Sequence, residues 1–237
     1  MKIIRSIIII GIILLLPVSS IGINIITTNS TEQSTETCSN NPVVLITGFG
    51  PFSKFDVNPS QLIAETLDGQ TIDDATVIGI IVKPNLSDFT EPLQLVYQAI
   101  DKYEPDLVIS LGLAAPYPWI RLEKFGINLG KSNESDDQKL FKVDPEGPWF
   151  RFSNLPTFKI AREIRRNGIP ARTTFHAGLS LCNGMLYSVA GYIEENDLPI
   201  KSGFIHVPLM KSQDPEKGME LEKMVEATKI TIKLSLI

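Results

Sequence analysis

Few side chains in this 237-residue sequence suit nucleophilic or proton-transfer chemistry at neutral pH: two cysteines, Cys38 and Cys182, and two histidines, His176 and His206. Cys182 stands in "HAGLSLCNGMLYSVAGYI", at or near the first turn of a helix. There the unpaired backbone N–H groups and the positive end of the helix dipole stabilise a thiolate. Ala177 and Gly178 before it let the backbone approach closely. On position alone the bland alternative, a buried structural cysteine, is favoured over this reading. His206 ends the apolar run "GFIHVP", which Pro208 stops, and is either the candidate base or a satisfied core histidine. His176, in the turn before Cys182, either touches the same site or is simply exposed. Glu123, flanked by Ile120, Leu122 and Phe125 in "WIRLEKF", needs a partner if buried. Its nearest candidates are the surface neighbours Arg121 and Lys124. A thiol, an imidazole and a carboxylate that orients the imidazole form the general nucleophilic triad.

Those residues must be positioned by strands and helices that the patterning makes visible. "PVVLITGFG" and "DLVISLGLA" are continuous apolar runs, as expected of strands buried on both faces. "ATVIGIIV", "ARTTF" and "SGFIHVP" are further strands, and "WIRLEKFGINL" reads as extended. Helices are expected over "NPSQLIAETLDG", "LSDFTEPLQLVYQAIDKYEP", "LPTFKIAREIRRNG", "CNGMLYSVAGYIEEN" and "DPEKGMELEKMVEATKITIKL". Gly69 and Gly168 supply stop signals. The alternation predicts an α/β fold, a three-layer α/β/α sandwich with a largely parallel twisted sheet. In such sheets a site forms beyond the carboxyl ends of the strands.

Composition sets the outer bounds. A net charge of -5 argues against nucleic acid as a partner, because phosphate binding needs clustered Lys and Arg. The Arg162, Arg165 and Arg166 cluster reads as the solvated face of a helix. Two histidines without neighbouring Cys or carboxylate spacing fall short of a zinc site, so no metal or cofactor is expected.

The N-terminus reads differently from the rest. Lys2 and Arg5 precede an apolar run that reaches Ile26, so 1–26 reads as a signal peptide or membrane anchor, with Val18-Ser19-Ser20 offering a cleavage site. Residues 27–41, rich in Ser, Thr and Asn, read as a flexible tether. The folded body is expected over 42–237, outside the cytoplasm, secreted or held by the N-terminal segment. Cys38 lies in the tether, where a bridge to Cys182 would add little order. Sequons at Asn29, Asn85 and Asn133 permit glycosylation of an exported chain.

The words "VLITGFGPFSKFDVNPS", "RLEKFGIN", "VDPEGPWFRFSNLP", "NGIPARTTFHAGLSLCNGMLY" and "SGFIHVPLMKSQ" resemble the pyroglutamyl-peptidase I family of cysteine peptidases, in the family's order. The resemblance implies that Glu123, Cys182 and His206 are the catalytic Glu, Cys and His. It implies hydrolysis of peptides that begin with pyroglutamate (5-oxoproline). It places Phe49 and Phe52 at the substrate ring as flat apolar walls, with packing beneath their loop as the alternative. Asn58 either braces their loop or caps the following helix, and Leu181, next to Cys182, is a further candidate substrate contact. Members are often tetramers and typically cytoplasmic, so the resemblance opposes the export reading.

This chain departs from the family around the substrate. It has Ser53-Lys54 where Gly-Gly is usual, Phe175-His176 before Ala-Gly, a different and shorter stretch at 129–142, and Leu113 where some members have Gln. An altered-specificity or catalytically silent relative, binding or hydrolysing another small N-acyl amide, is the alternative.

Overall fold

The computed structural model describes residues 41–52, 55–85, 89–131 and 139–237. The apolar leader, the tether up to residue 40, Cys38, the Ser53-Lys54 departure and the sequons at Asn29 and Asn133 lie outside the described residues. Among the described residues no helix is long and apolar enough to cross a membrane.

In chain order the elements are β1 (Val43–Phe49), α1 (Pro59–Leu67), β2 (Thr71–Ile72), β3 (Ala75–Val82), α2 (Thr90–Tyr103) and β4 (Leu107–Leu113). Four short strands follow: β5 (Ile120–Glu123), β6 (Phe125–Ile127), β7 (Gly130–Lys131) and β8 (Leu140–Phe141). The chain closes with β9 (Phe150–Phe152), α3 (Thr157–Arg166), β10 (Ala171–Thr174), α4 (Leu181–Glu195), β11 (Lys201–Val207) and α5 (Leu221–Leu236).

Seven strands form one sheet in the order β10-β5-β11-β4-β1-β3-β2. Its centre, β11, β4, β1 and β3, is parallel throughout, as the apolar runs predict. Strand residues alternate between two cores. Val44, Ile46, Leu107 and Ile109 pack with Ile63 of α1, Ile160 of α3 and Met224 of α5. Leu45, Val108 and Phe204 pack with Val96 of α2 and Met185 and Val189 of α4. Each such side chain contributes about 1.5–3 kcal/mol on burial, so both faces are firmly covered and the sandwich has three layers.

Three features differ from the simple alternation. The "WIRLEKF" segment breaks into β5, which enters the main sheet between β10 and β11, and β6, which leaves it to pair with β9. β5 is antiparallel to β11 yet parallel to β10. The terminal helix begins at Leu221, not at Asp214. The Asp214 carboxylate accepts the N–H groups of Glu216 and Lys217 at 3.0 and 2.9 Å, which makes that stretch a turn.

Candidate active site

Side-chain alternation decides which residues meet. Ile205, Val207, Ile120 and Leu122 fill the core beneath α1, α3 and α5, so Phe204, His206, Arg121 and Glu123 face the other way, toward α4. Because β5 runs antiparallel to β11, His206 is opposite Arg121 and Phe204 is opposite Glu123. Glu123 is therefore the diagonal neighbour of His206, a gap that two long side chains close. His206 Nδ1 lies 2.8 Å from Glu123 Oε1.

Glu123 is fully buried, and its carboxylate has three partners. Arg121 Nε donates to Oε1 at 2.9 Å, and the Thr174 hydroxyl donates to Oε2 at 2.7 Å. Thr174 reaches it because β10 places it directly beside Glu123 in register. Burial alone would raise the carboxyl pKa. The hydrogen bond and charge of His206, with the bonds from Thr174 and Arg121, outweigh that and hold it below the ordinary value. The surface pair anticipated between Glu123 and Arg121 is thus present but buried, and it shares its oxygen with the imidazole.

Cys182 sits half-buried in the first turn of α4. It lines the same cavity as His206, whose Nδ1 is engaged by Glu123 and whose Nε2 is left for the site. Gly112 of β4, the register partner of His206, makes room for Cys182. A Cβ there would meet Cys182 Sγ at 3.0 Å and the Phe204 ring at 2.8 Å. Asn183, buried beside the cysteine, anchors the helix start to β6. Its Oδ1 accepts the Ile127 N–H at 2.8 Å, and its Nδ2 donates to the carbonyls of Ile127 and Leu129 at 2.8 and 3.0 Å. Gly178, at φ +86°, supplies the left-handed turn that brings the chain into α4. The helix-capping residue Ser180 makes no side-chain bond to the first turn, whose N–H groups have no partner inside the helix.

His206 is 6% exposed. Burial alone would lower its pKa. The charge and hydrogen bond of Cys182, then those of Glu123, reverse the effect and raise it to about 9. A buried, charged imidazole is tolerated here because the Glu123 carboxylate stands at its Nδ1.

A cavity of about 300 Å³ opens over Cys182 and His206. Phe49, Phe52, Leu113 and Leu181 all line it, so its walls are largely apolar. Asn58 does both things considered for it. Its Nδ2 donates to the Gly50 carbonyl at 3.1 Å, and its Oδ1 accepts the Ser60 N–H at 3.1 Å as the cap of α1. His176 is exposed and also lines the cavity; its Nδ1 accepts the Gly178 N–H at 3.2 Å. Among the described residues no cluster of His, Cys, Asp and Glu is placed to hold a metal ion.

Sequence reasoning missed Thr174, Asn183 and Gly112, and took Arg121 only as a local neighbour. It also missed Arg151, 6% exposed, which pairs with Glu195 and with Asp144 at 3.3 Å and stacks on Tyr187 at 4.8 Å. That network ties β9 to α4. Gly191 leaves the space the guanidinium occupies, since a Cβ there would collide with it. A buried arginine in the alternating word "WFRF" was the available signal.

Residues 43–236 match the family model described as pyroglutamyl peptidase. The pyrrolidone-carboxylate peptidase of Mycobacterium bovis BCG is 38% identical over 176 residues, covering 71% of this chain and 78% of that protein. Its counterpart in Bacillus subtilis is 33% identical over 194 residues, covering 79% and 89%. Among solved structures, the pyrrolidone carboxyl peptidase of Thermococcus litoralis superposes with a TM-score of 0.77 at 30% identity, covering 82% of this chain and 93% of that one. Pyroglutamyl peptidase I of Bacillus amyloliquefaciens gives 0.77 at 29% identity, covering 83% and 96%. On its sequence and on its fold, this chain belongs to the pyroglutamyl peptidase family.

Proposed function

We propose that this chain is a cysteine peptidase that removes N-terminal pyroglutamate from peptides, with Cys182 as nucleophile, His206 as base and acid, and Glu123 orienting the imidazole. The observation that carries the reading is the buried His206–Glu123 pair at 2.8 Å, with Cys182 lining the same apolar cavity as His206. A pyroglutamyl ring has no free amine, so it suits walls such as Phe49 and Phe52 better than a carboxylate anchor.

His206 holds the proton and Cys182 the negative charge in the reactive pair. The thiolate attacks the pyroglutamyl carbonyl carbon, and first-turn N–H groups of α4 receive the oxyanion. The loss of one such donor typically costs about 100- to 1,000-fold in rate. As the tetrahedral species collapses, the imidazolium protonates the departing amine and a thioester remains. Water, deprotonated by the now neutral His206, cleaves the thioester and restores the thiolate–imidazolium pair. Glu123 fixes the tautomer throughout and stabilises the imidazolium.

A panel of arylamides tests the reading. The pyroglutamyl arylamide should be cleaved and the prolyl and N-acetyl analogues should not. Cleavage of a different N-acyl arylamide alone would indicate altered specificity, and binding without cleavage would indicate a silent relative.

The electrostatics give a pH expectation. A histidine raised from 6.5 to about 9 contributes stability that is fully present below pH 6.5 and is lost as pH rises through about 9. The same deprotonation removes the acid that the leaving amine needs, so kcat/KM should fall on an alkaline limb that belongs to the coupled pair. Glu123→Gln removes a charge that raises His206, so this limb should move to lower pH while kcat drops. An unmoved limb in the pH profile would show that Glu123 does not act through His206.

We further propose that residues 42–237 form the catalytic body and that residues 1–26 carry it out of the cytoplasm. The support is the basic start, the apolar run to Ile26 and the polar tether. Fractionation of cells expressing the full chain should find a protease-accessible body on the outer face or in the medium. A full-length product in the soluble cytosol would overturn export.

A further inference from the structure

Arg121 has more hydrogen-bonding capacity than the fold uses. A guanidinium carries five N–H donors. The Nε–H binds Glu123 at 2.9 Å, and one Nη2 hydrogen reaches the His176 carbonyl at 3.4 Å. The other three have no partner among the described residues. The side chain is only 11% exposed, and it lines the cavity that holds Cys182 and His206. Its orientation is fixed from behind. The guanidinium carbon lies 4.2 Å from the Tyr117 ring centroid, Tyr117 leans on Trp119, and Arg172 covers Trp119 at 4.1 Å. Glu123 is one carboxylate facing two basic groups, Arg121 and His206, so it does not satisfy the guanidinium by itself.

The pyroglutamyl ring is uncharged and makes no call on a cation. The leaving group can. In a dipeptide substrate the free α-carboxylate is separated from the scissile nitrogen by a single carbon. His206 must protonate that nitrogen, and Arg121 is the cross-strand neighbour of His206. We propose that Arg121 is a specificity-determining residue that binds the free α-carboxylate of the amino acid following pyroglutamate, making pyroglutamyl dipeptides the preferred substrates. The planar fork of unused donors matches a carboxylate, whereas a longer peptide presents a neutral amide at that position. This inference rests on the proposed peptidase activity.

The test compares pyroglutamyl-alanine with its C-terminal amide, using the full chain. The free acid should show a kcat/KM about ten- to a hundred-fold higher, as expected for hydrogen bonds to a charged group. Arg121→Gln should bring the ratio close to one. Any loss from the broken Glu123 contact falls on both substrates and cancels in the ratio. Arg121→Lys, which keeps the charge but not the fork, should give an intermediate ratio, and it decides the matter if the Gln variant is inactive. Equal rates for acid and amide in the parent, an acid preference that survives in Arg121→Gln, or a parent-like ratio in Arg121→Lys would each overturn the assignment. Turnover of neither peptide by the parent would overturn the pyroglutamyl reading itself, and this inference with it.

Discussion

Cys182→Ser should fold like the parent and lose pyroglutamyl hydrolysis by roughly four to six orders of magnitude, the scale on which single members of a nucleophile–base unit fail. The substitution exchanges one atom in a half-buried position, so the packing of α4 against the sheet is unchanged. What disappears is the proposed thiolate nucleophile beside His206. Serine hydroxyl does not ionise there, so the charge and ionic hydrogen bond that raise His206 vanish with the sulfur. The His206 pKa should therefore fall in the variant as well. Iodoacetamide should alkylate Cys182 stoichiometrically and stop turnover in step with labelling. The checks are kcat/KM on a pyroglutamyl arylamide and a thermal melt of both proteins. A serine variant with a tenth of the parent activity would end the assignment of Cys182.

The two histidines should separate just as sharply. His206→Ala should lose roughly 10⁴-fold in kcat, because the proton needed by the leaving amine then has no carrier. The alanine also leaves a cavity beside a buried, ionised Glu123, so His206→Gln serves as the better-packed second variant. His176→Ala should change KM by several-fold and kcat little. His176 lines the cavity but is exposed, and its ring makes only a local bond to the Gly178 N–H. The reverse pattern, with turnover lost in His176→Ala and kept in His206→Gln, would show that the base is misassigned.

These residues differ in how visible they are in the sequence. His206 shows as a polar ring at the carboxyl end of a buried strand, a position that suits a core histidine equally well, and only the family resemblance assigns it the role of base. Cys182 shows as the opening of a helix after the turn at Ala177-Gly178, a position that by itself favours a structural cysteine, and the resemblance supplies its role as nucleophile. Both signals are local. Thr174 and the second role of Arg121 do not show, because they depend on β5 entering between β10 and β11 with reversed direction. No periodicity within "WIRLEKF" encodes which strands will flank it. Gly112 and Gly191 are silent for the same reason. Their lack of a side chain matters only once Cys182 and Arg151 arrive from distant parts of the chain. The early turn at Asp214 was misread as helix because "DPEK" also resembles a helix start. The turn wins because the Asp214 side chain satisfies two backbone donors at once.

If Cys182 is the nucleophile, it carries the pyroglutamyl group during turnover. The most direct measurement is rapid acid quench of the full-length protein mixed with a pyroglutamyl ester or arylamide, followed by mass analysis of its proteolytic fragments. A burst of leaving group approaching one equivalent is expected when thioester hydrolysis is the slower step, with a pyroglutamyl thioester on the fragment containing Cys182 and none in Cys182→Ser. Turnover with the adduct on another residue, or undiminished turnover in Cys182→Ser, would contradict that role.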